Sequence, residues 1–176
     1  PEPAPNVSTT GEHQADPARK PRRVLHLING EHYAGAERVQ DLLALTLPQF
    51  GYEVEFARVL PGRFAQARRS TVPLHEAPMR NKLDLRPAFK LAKLLRHGGF
   101  DCLHTHTPRT VMVGRIAASL AGVPFVHHLH GQTSTEVRGT YKTRCYAWLE
   151  QRCMRRAARV IAVSETSRQY LLRQGV

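Results

Sequence analysis

Between residues 22 and 176 the chain alternates short apolar runs with amphipathic stretches, and this alternation restricts its possible folds more than any other feature. RVLHLI, YEVEFARVL, the weaker STVPLHEA, DCLHTH, VPFVHHLHG and RVIAVS read as strands. Helical periodicity fills the intervals. AGAERVQDLLALTL puts Val39, Leu42, Leu43 and Leu47 on one face, predicted to be its buried face, before Pro48 ends the helix. RPAFKLAKLLRHGG carries Ala88, Leu91 and Leu95 on one stripe and closes at Gly98 and Gly99. Thr107 and Pro108 start a helix through RTVMVGRIAASLAG, with Val113, Ile116, Ala117 and Leu120 sharing a face. TYKTRCYAWLEQRCMRRAA is predicted to turn Tyr141, Cys145, Trp148, Leu149 and Cys153 inward, and ETSRQYLLRQG is a last helix. Strands and helices alternating at this spacing predict the α/β class, a doubly wound, mainly parallel sheet flanked by helices.

Residues 1–21 are rich in Pro, Ser, Thr and charge with little to bury, and are expected to form a disordered leader. Residues 22–176 suffice for one Rossmann-like domain. Cys145 and Cys153 lie about two helical turns apart, too far to bridge, and Cys102 adds no metal spacing. Free thiols fit a reducing cytoplasm. No stretch approaches the ~20 apolar residues of a membrane span, so the expected location is cytoplasmic.

Charge narrows the partners. The chain holds 26 Lys and Arg against 14 Asp and Glu, a formal net charge of +12. Between Arg63 and Arg96 nine basic residues face two acidic ones, and Arg152, Arg155, Arg156 and Arg159 form a second group. Aromatic residues are sparse among them and no nucleic-acid reading motif is present, so nucleic acid is not an expected partner. Two readings of these basic runs stay open: a merely solvated helix face, and peripheral contact with an anionic membrane surface on the inner face of the membrane.

In a doubly wound sheet, ligands bind beyond the carboxyl ends of the strands. The first strand delivers a loop containing Gly30 and Gly35, the fourth delivers HTHT, the fifth HHLHG and the sixth VSE. The glycine loop is neither a dinucleotide fingerprint nor a Walker loop, since Ala36 and Glu37 follow Gly35. Strand alternation puts His104 with His106, and His128 with His130, on common faces, while His127 points away and packs. Three readings of the four histidines stay open. A metal site is disfavoured because neither strand segment supplies a carboxylate. Burial with satisfied hydrogen bonds suits His104 and His128. Contact with a polar ligand suits His106 and His130, provided that the glycine loop faces the same cleft.

The ordered set RVLHLIN, AGAERV, DCLHTHTPRTVMVGRIAASLAGVPFVHHLHG and RVIAVSE resembles the N-terminal domain of the family 4 glycosyltransferases, which have the two-domain GT-B architecture. The resemblance covers residues 22–176. It implies the acceptor-binding half of a retaining glycosyltransferase that moves a sugar from a nucleotide-sugar to a glycan, lipid or small-molecule acceptor. The donor is a co-substrate, and no cofactor or metal is implied. A C-terminal donor-binding domain is expected as partner and is not contained in these residues, so the chain alone is expected to be an inactive half. Residue by residue, the resemblance puts Gly35 near the donor pyrophosphate and His130 against the donor sugar as the catalytic histidine. His106 lines the acceptor side, with Ser164 and Glu165. The family's Gly-Gly-Ala-Glu is Ala34-Gly35-Ala36-Glu37 here, a departure at its first glycine. Two other classes remain: a noncatalytic ligand-binding α/β domain, and a metal-dependent hydrolase using the strand-end histidines.

Overall fold

The computed structural model describes residues 19–130 and 141–176, so most of the expected leader lies outside the described residues. Six strands form one sheet. They are β1 (Arg22–Ile28), β2 (Tyr52–Arg58), β3 (Leu74–Glu76), β4 (Cys102–Thr105), β5 (Phe125–Leu129) and β6 (Arg159–Ala162). Their spatial order is β3-β2-β1-β4-β5-β6, and every pairing is parallel. The helices are α1 (Gly35–Thr46), α2 (Phe64–Ala67), α3 (Pro87–His97), α4 (Pro108–Ala121), α5 (Tyr141–Met154) and α6 (Glu165–Arg173). A 3-10 turn at Leu47–Phe50 follows α1. The predicted α/β class is therefore the observed one, with the strand order reversing between β1 and β4.

Two apolar clusters sit around the sheet. The larger joins Leu25, Leu27 and Leu103 to Leu91 and Leu95 of α3 and to Val111, Val113 and Ala117 of α4. The smaller joins Ile28, Val54 and Phe56 to Ala44 of α1 and Phe64 of α2. Alternation along β1 sends Leu25 and Leu27 into the first, and Ile28, in phase with His26, into the second.

The start of α4 follows its sequence signals closely. Thr107 is the N-cap, its hydroxyl accepting from the Thr110 N–H while the Thr110 side chain accepts from the Thr107 N–H, and Pro108 occupies the first turn. Gly114 lets α4 lie directly on β4. A Cβ there would fall 2.5 Å from Thr105 Cγ2 and 3.2 Å from Leu103 Cδ2. Gly114→Val should therefore destabilise the protein by about 3 kcal/mol through overpacking, measured as a lowered urea midpoint with unchanged slope.

Three helices depart from the expected faces, α4 at Leu120 alone. In α1 the buried residues are Glu37, Gln40, Asp41 and Ala44, whereas Val39, Leu42 and Leu45 are exposed. The cause is Asp41. Its carboxylate accepts from the Tyr33 hydroxyl at 2.7 Å and from the backbone N–H groups of Arg69 at 2.7 Å and Ser70 at 2.9 Å. Burial acts to raise the Asp41 pKa, but these hydrogen bonds together hold it below the ordinary carboxylate value. Satisfying a buried carboxylate with three donors fixes the helix rotation more firmly than the apolar stripe does. In α5, Leu149 is half-buried and Cys153 buried as expected, but Cys145 and Trp148 face outward, with Arg152 over the Trp148 ring at 5.3 Å. The Tyr141 side chain lies outside the described residues. Leu120 of α4 is likewise exposed.

Candidate functional site

Register gathers the histidines. His26 of β1 pairs with His104 of β4, and His104 pairs with Val126 of β5, so the next steps along β4 and β5 bring His106 level with His128. Paired residues of parallel strands project to the same side. His26, His104, His106, His128 and His130 therefore form one continuous patch of rings across three strands. Ring centroids are separated by 4.7 Å between His26 and His104, 4.2 Å between His104 and His106, and 4.1 Å between His128 and His130. The patch continues the smaller apolar cluster, since His26 meets Phe56 edge to face at 5.7 Å.

His106 is the hub. Its Nε2 lies 3.1 Å from His26 Nδ1 and its Nδ1 lies 3.3 Å from His130 Nε2. A neutral ring offers one donor and one acceptor, so His106 is satisfied at both nitrogens and links the buried His26 to the half-buried His130 as a directional chain, while His26 Nε2 has no hydrogen-bond partner among the described residues. The backbone fixes the hub as well, because the His106 N–H donates to Thr110 Oγ1 at 3.0 Å. Burial, with smaller contributions from neighbouring rings, lowers the pKa of His26 to about 3, of His104 to about 2 and of His130 to about 4. His106 is pushed well below 6.5 for the same reason, and burial lowers His128 too. At neutral pH the patch is uncharged. It can donate and accept hydrogen bonds to a hydroxyl-rich ligand, and an unprotonated ring nitrogen can ligate a metal.

His104 and His128 are buried as expected, but not fully satisfied. His104 Nε2 and His128 Nδ1 have no hydrogen-bond partner among the described residues. His127 faces the other side of the sheet and hydrogen-bonds Thr105 Oγ1 at 2.9 Å, which agrees with a packing role. The sequence reading missed His26. Its signal was its phase: in RVLHLI it lies on the same face as Ile28, but only the β1–β4 register reveals that this face meets His104.

The glycine loop does face the same edge, since Thr107 Oγ1 donates to Asn29 Oδ1 at 3.0 Å and so ties the loop after β1 to the loop after β4. Its two glycines differ in role. Gly30 has φ +88, and a Cβ there would stand 2.8 Å from both Arg58 Cβ and the Leu60 carbonyl oxygen, so it is needed for backbone packing. Gly35 opens α1, and a Cβ there would meet nothing within 4 Å among the described residues. The N-cap Ala34 provides no side-chain cap, which leaves the first N–H groups of α1 available to an acceptor.

Ser164 and Glu165 stand apart from this group in what they contact. Ser164 caps α6, accepting from the Ser167 N–H at 3.1 Å, and Glu165 pairs with Arg168 at 3.0 Å on the exposed surface. Their strand, β6, neighbours β5 at the sheet edge, so they flank His130 by position in the sheet.

The sequence model of Glycosyltransferase Family 4 matches residues 33–176. The Escherichia coli UDP-Gal:alpha-D-GlcNAc-diphosphoundecaprenol alpha-1,3-galactosyltransferase is 33% identical over 92 residues, which are 52% of this chain and 24% of that protein. HepE of Anabaena, solved in complex with UDP, superposes with a TM-score of 0.66 at 22% identity, over 87% of this chain and 41% of its own. The lipopolysaccharide outer core galactosyltransferase WaaB, solved in its apo form, superposes with a TM-score of 0.67 at 11% identity, over 88% of this chain and 43% of its own. The chain thus spans about a quarter of the curated relative and about two fifths of these solved structures. At such identities the structural likeness is one of fold.

Proposed function

The chain belongs to glycosyltransferase family 4, and on that premise we propose that it forms the acceptor-binding N-terminal half of a retaining glycosyltransferase that uses a nucleotide-sugar donor. The observation that carries this reading is the convergence of the glycine loop and the histidine patch on one sheet edge, tied together by Asn29 and Thr107. Gly35 and the uncapped start of α1 offer N–H groups and a positive helix end to the donor pyrophosphate. His130, half-buried and neutral, offers a hydrogen bond to a hydroxyl of the donor sugar. His106 fixes the orientation of His130 and lines the acceptor side, with Ser164 and Glu165 further along the edge.

In this reading the donor phosphate leaves with the bonding electrons of the anomeric carbon and takes up the acceptor proton, and the acceptor oxygen bonds on the same face. The protein supplies position and oriented donors, without a metal. The other wall of the cleft belongs to a C-terminal donor-binding domain. The Escherichia coli relative, named for a lipid diphosphate acceptor, supports a polyprenyl-diphosphate-linked sugar as acceptor. The basic stretch from Arg63 to Arg96 suits peripheral contact with an anionic membrane on the cytoplasmic side. No helix among the described residues is long and apolar enough to cross a membrane.

The reading is tested by incubating the two-domain enzyme with radiolabelled UDP-galactose, membranes containing GlcNAc-diphosphoundecaprenol, and chelator. Label in the lipid fraction, UDP release in equal amount and an α-linkage by NMR are expected. Enzyme that binds no nucleotide-sugar would contradict it, and an inverted linkage would overturn the retaining assignment.

A further inference from the structure

We infer that His106, His128 and His130 form a binding site for a zinc-class divalent cation at the mouth of the histidine patch. Two triads of side chains bring ligating atoms within 4.8 Å of one another, His26–His104–His106 and His106–His128–His130. In a tetrahedral site with metal–nitrogen bonds of about 2.0–2.1 Å the ligand nitrogens stand about 3.3–3.4 Å apart. The 3.3 Å separation of His106 Nδ1 and His130 Nε2 already has that length. His128 adds a buried ring nitrogen, Nδ1, with no partner among the described residues.

The outer triad is preferred for an electrostatic reason. His26, His104 and His106 are all buried, at 0%, 8% and 2% exposure, and the ring of His26 packs on Phe56. A dication held there by three neutral rings would lose nearly all hydration, and the triad itself contains no carboxylate to offset its charge. The outer triad includes the half-buried His130, so the cation keeps a water in its fourth position and stays partly solvated. Three imidazoles select the zinc, nickel and copper end of the first-row series over magnesium or calcium, which require oxygen ligands. The hydrogen bond between His106 Nε2 and His26 Nδ1 then orients the shared ligand.

Binding goes beyond the transfer chemistry and does not depend on it. One consequence does rest on the donor-facing reading of His130: a cation there and a donor sugar exclude each other, so zinc inhibits transfer.

The test is a titration of the purified protein, free of any polyhistidine tag, with Co(II) as a spectroscopic probe for the zinc class. Saturation at one equivalent with the intense visible absorption of four-coordinate Co(II) is expected, and His130→Gln, checked for folding by circular dichroism, should weaken it at least tenfold. Absence of saturable binding would overturn the proposal, as would binding of wild-type strength in His130→Gln. A Zn(II) titration of the unsubstituted protein, followed by ring 1H–15N correlations, gives a readout independent of any variant. The His106, His128 and His130 rings should shift together at one equivalent, and unshifted rings would overturn the site. Neither measurement requires transferase activity, so a protein that binds neither Co(II) nor Zn(II) at these rings yet still transfers sugar would refute the cation site and leave the proposed function standing.

Discussion

The protein should lose its cooperative fold between about pH 6.5 and pH 5. Four buried rings dictate this. His26, His104 and His127 have their pKa values lowered to about 3, about 2 and about 3, and His106 is pushed well below 6.5, in each case first by burial and then by neighbouring imidazoles. As the pH falls through the unfolded value of about 6.5, the unfolded chain takes up protons that the folded chain cannot, so stability is complete above that value and drains away below it. Each ring that stays neutral in the folded protein opposes folding more strongly as the pH falls further below 6.5, and several such rings act together against a total stability of only about 5–15 kcal/mol. Thermal melts at pH 7.5, 6.5, 5.5 and 5.0 should show a melting temperature that falls steeply over the last three, with the transition absent at pH 5.0. A melting temperature level across that range would show that the rings are protonated at little cost in the folded state.

The same patch shows how far the sequence could be read. The six strands and their alternation with helices were legible because local periodicity carries them, and the capping of α4 by Thr107 and Pro108 was legible because the signal is confined to four residues. What was not legible depends on partners distant in sequence. Val39 and Leu42 read as a core face, yet Asp41 turns the other side of α1 inward by accepting backbone donors from Arg69 and Ser70, 28 and 29 residues away. Trp148 and Cys145 read as inward by periodicity and face out. His26 passed as one residue of an apolar strand until its register with His104, 78 residues on, made it the floor of the patch. Gly30 and Gly35 looked alike in sequence, and only the backbone angle and the neighbours of each separate a packing glycine from an open one. The segment 131–140, which follows His130, lies outside the described residues.

The central claim is that this edge of the sheet handles the donor sugar, and His130 carries it. His130 is half-buried at the end of β5 and belongs to neither apolar cluster, so removing its ring leaves both clusters intact. His130→Ala in the two-domain enzyme should therefore change the melting temperature little at pH 7.5. Turnover should fall about a hundredfold, equivalent to about 2.7 kcal/mol of lost transition-state stabilisation. The direct measurement is kcat and KM for sugar transfer by wild type and His130→Ala in parallel, with a thermal melt of each. A low kcat at near-normal stability is the expected result; wild-type kcat and KM in a folded His130→Ala enzyme would contradict the account.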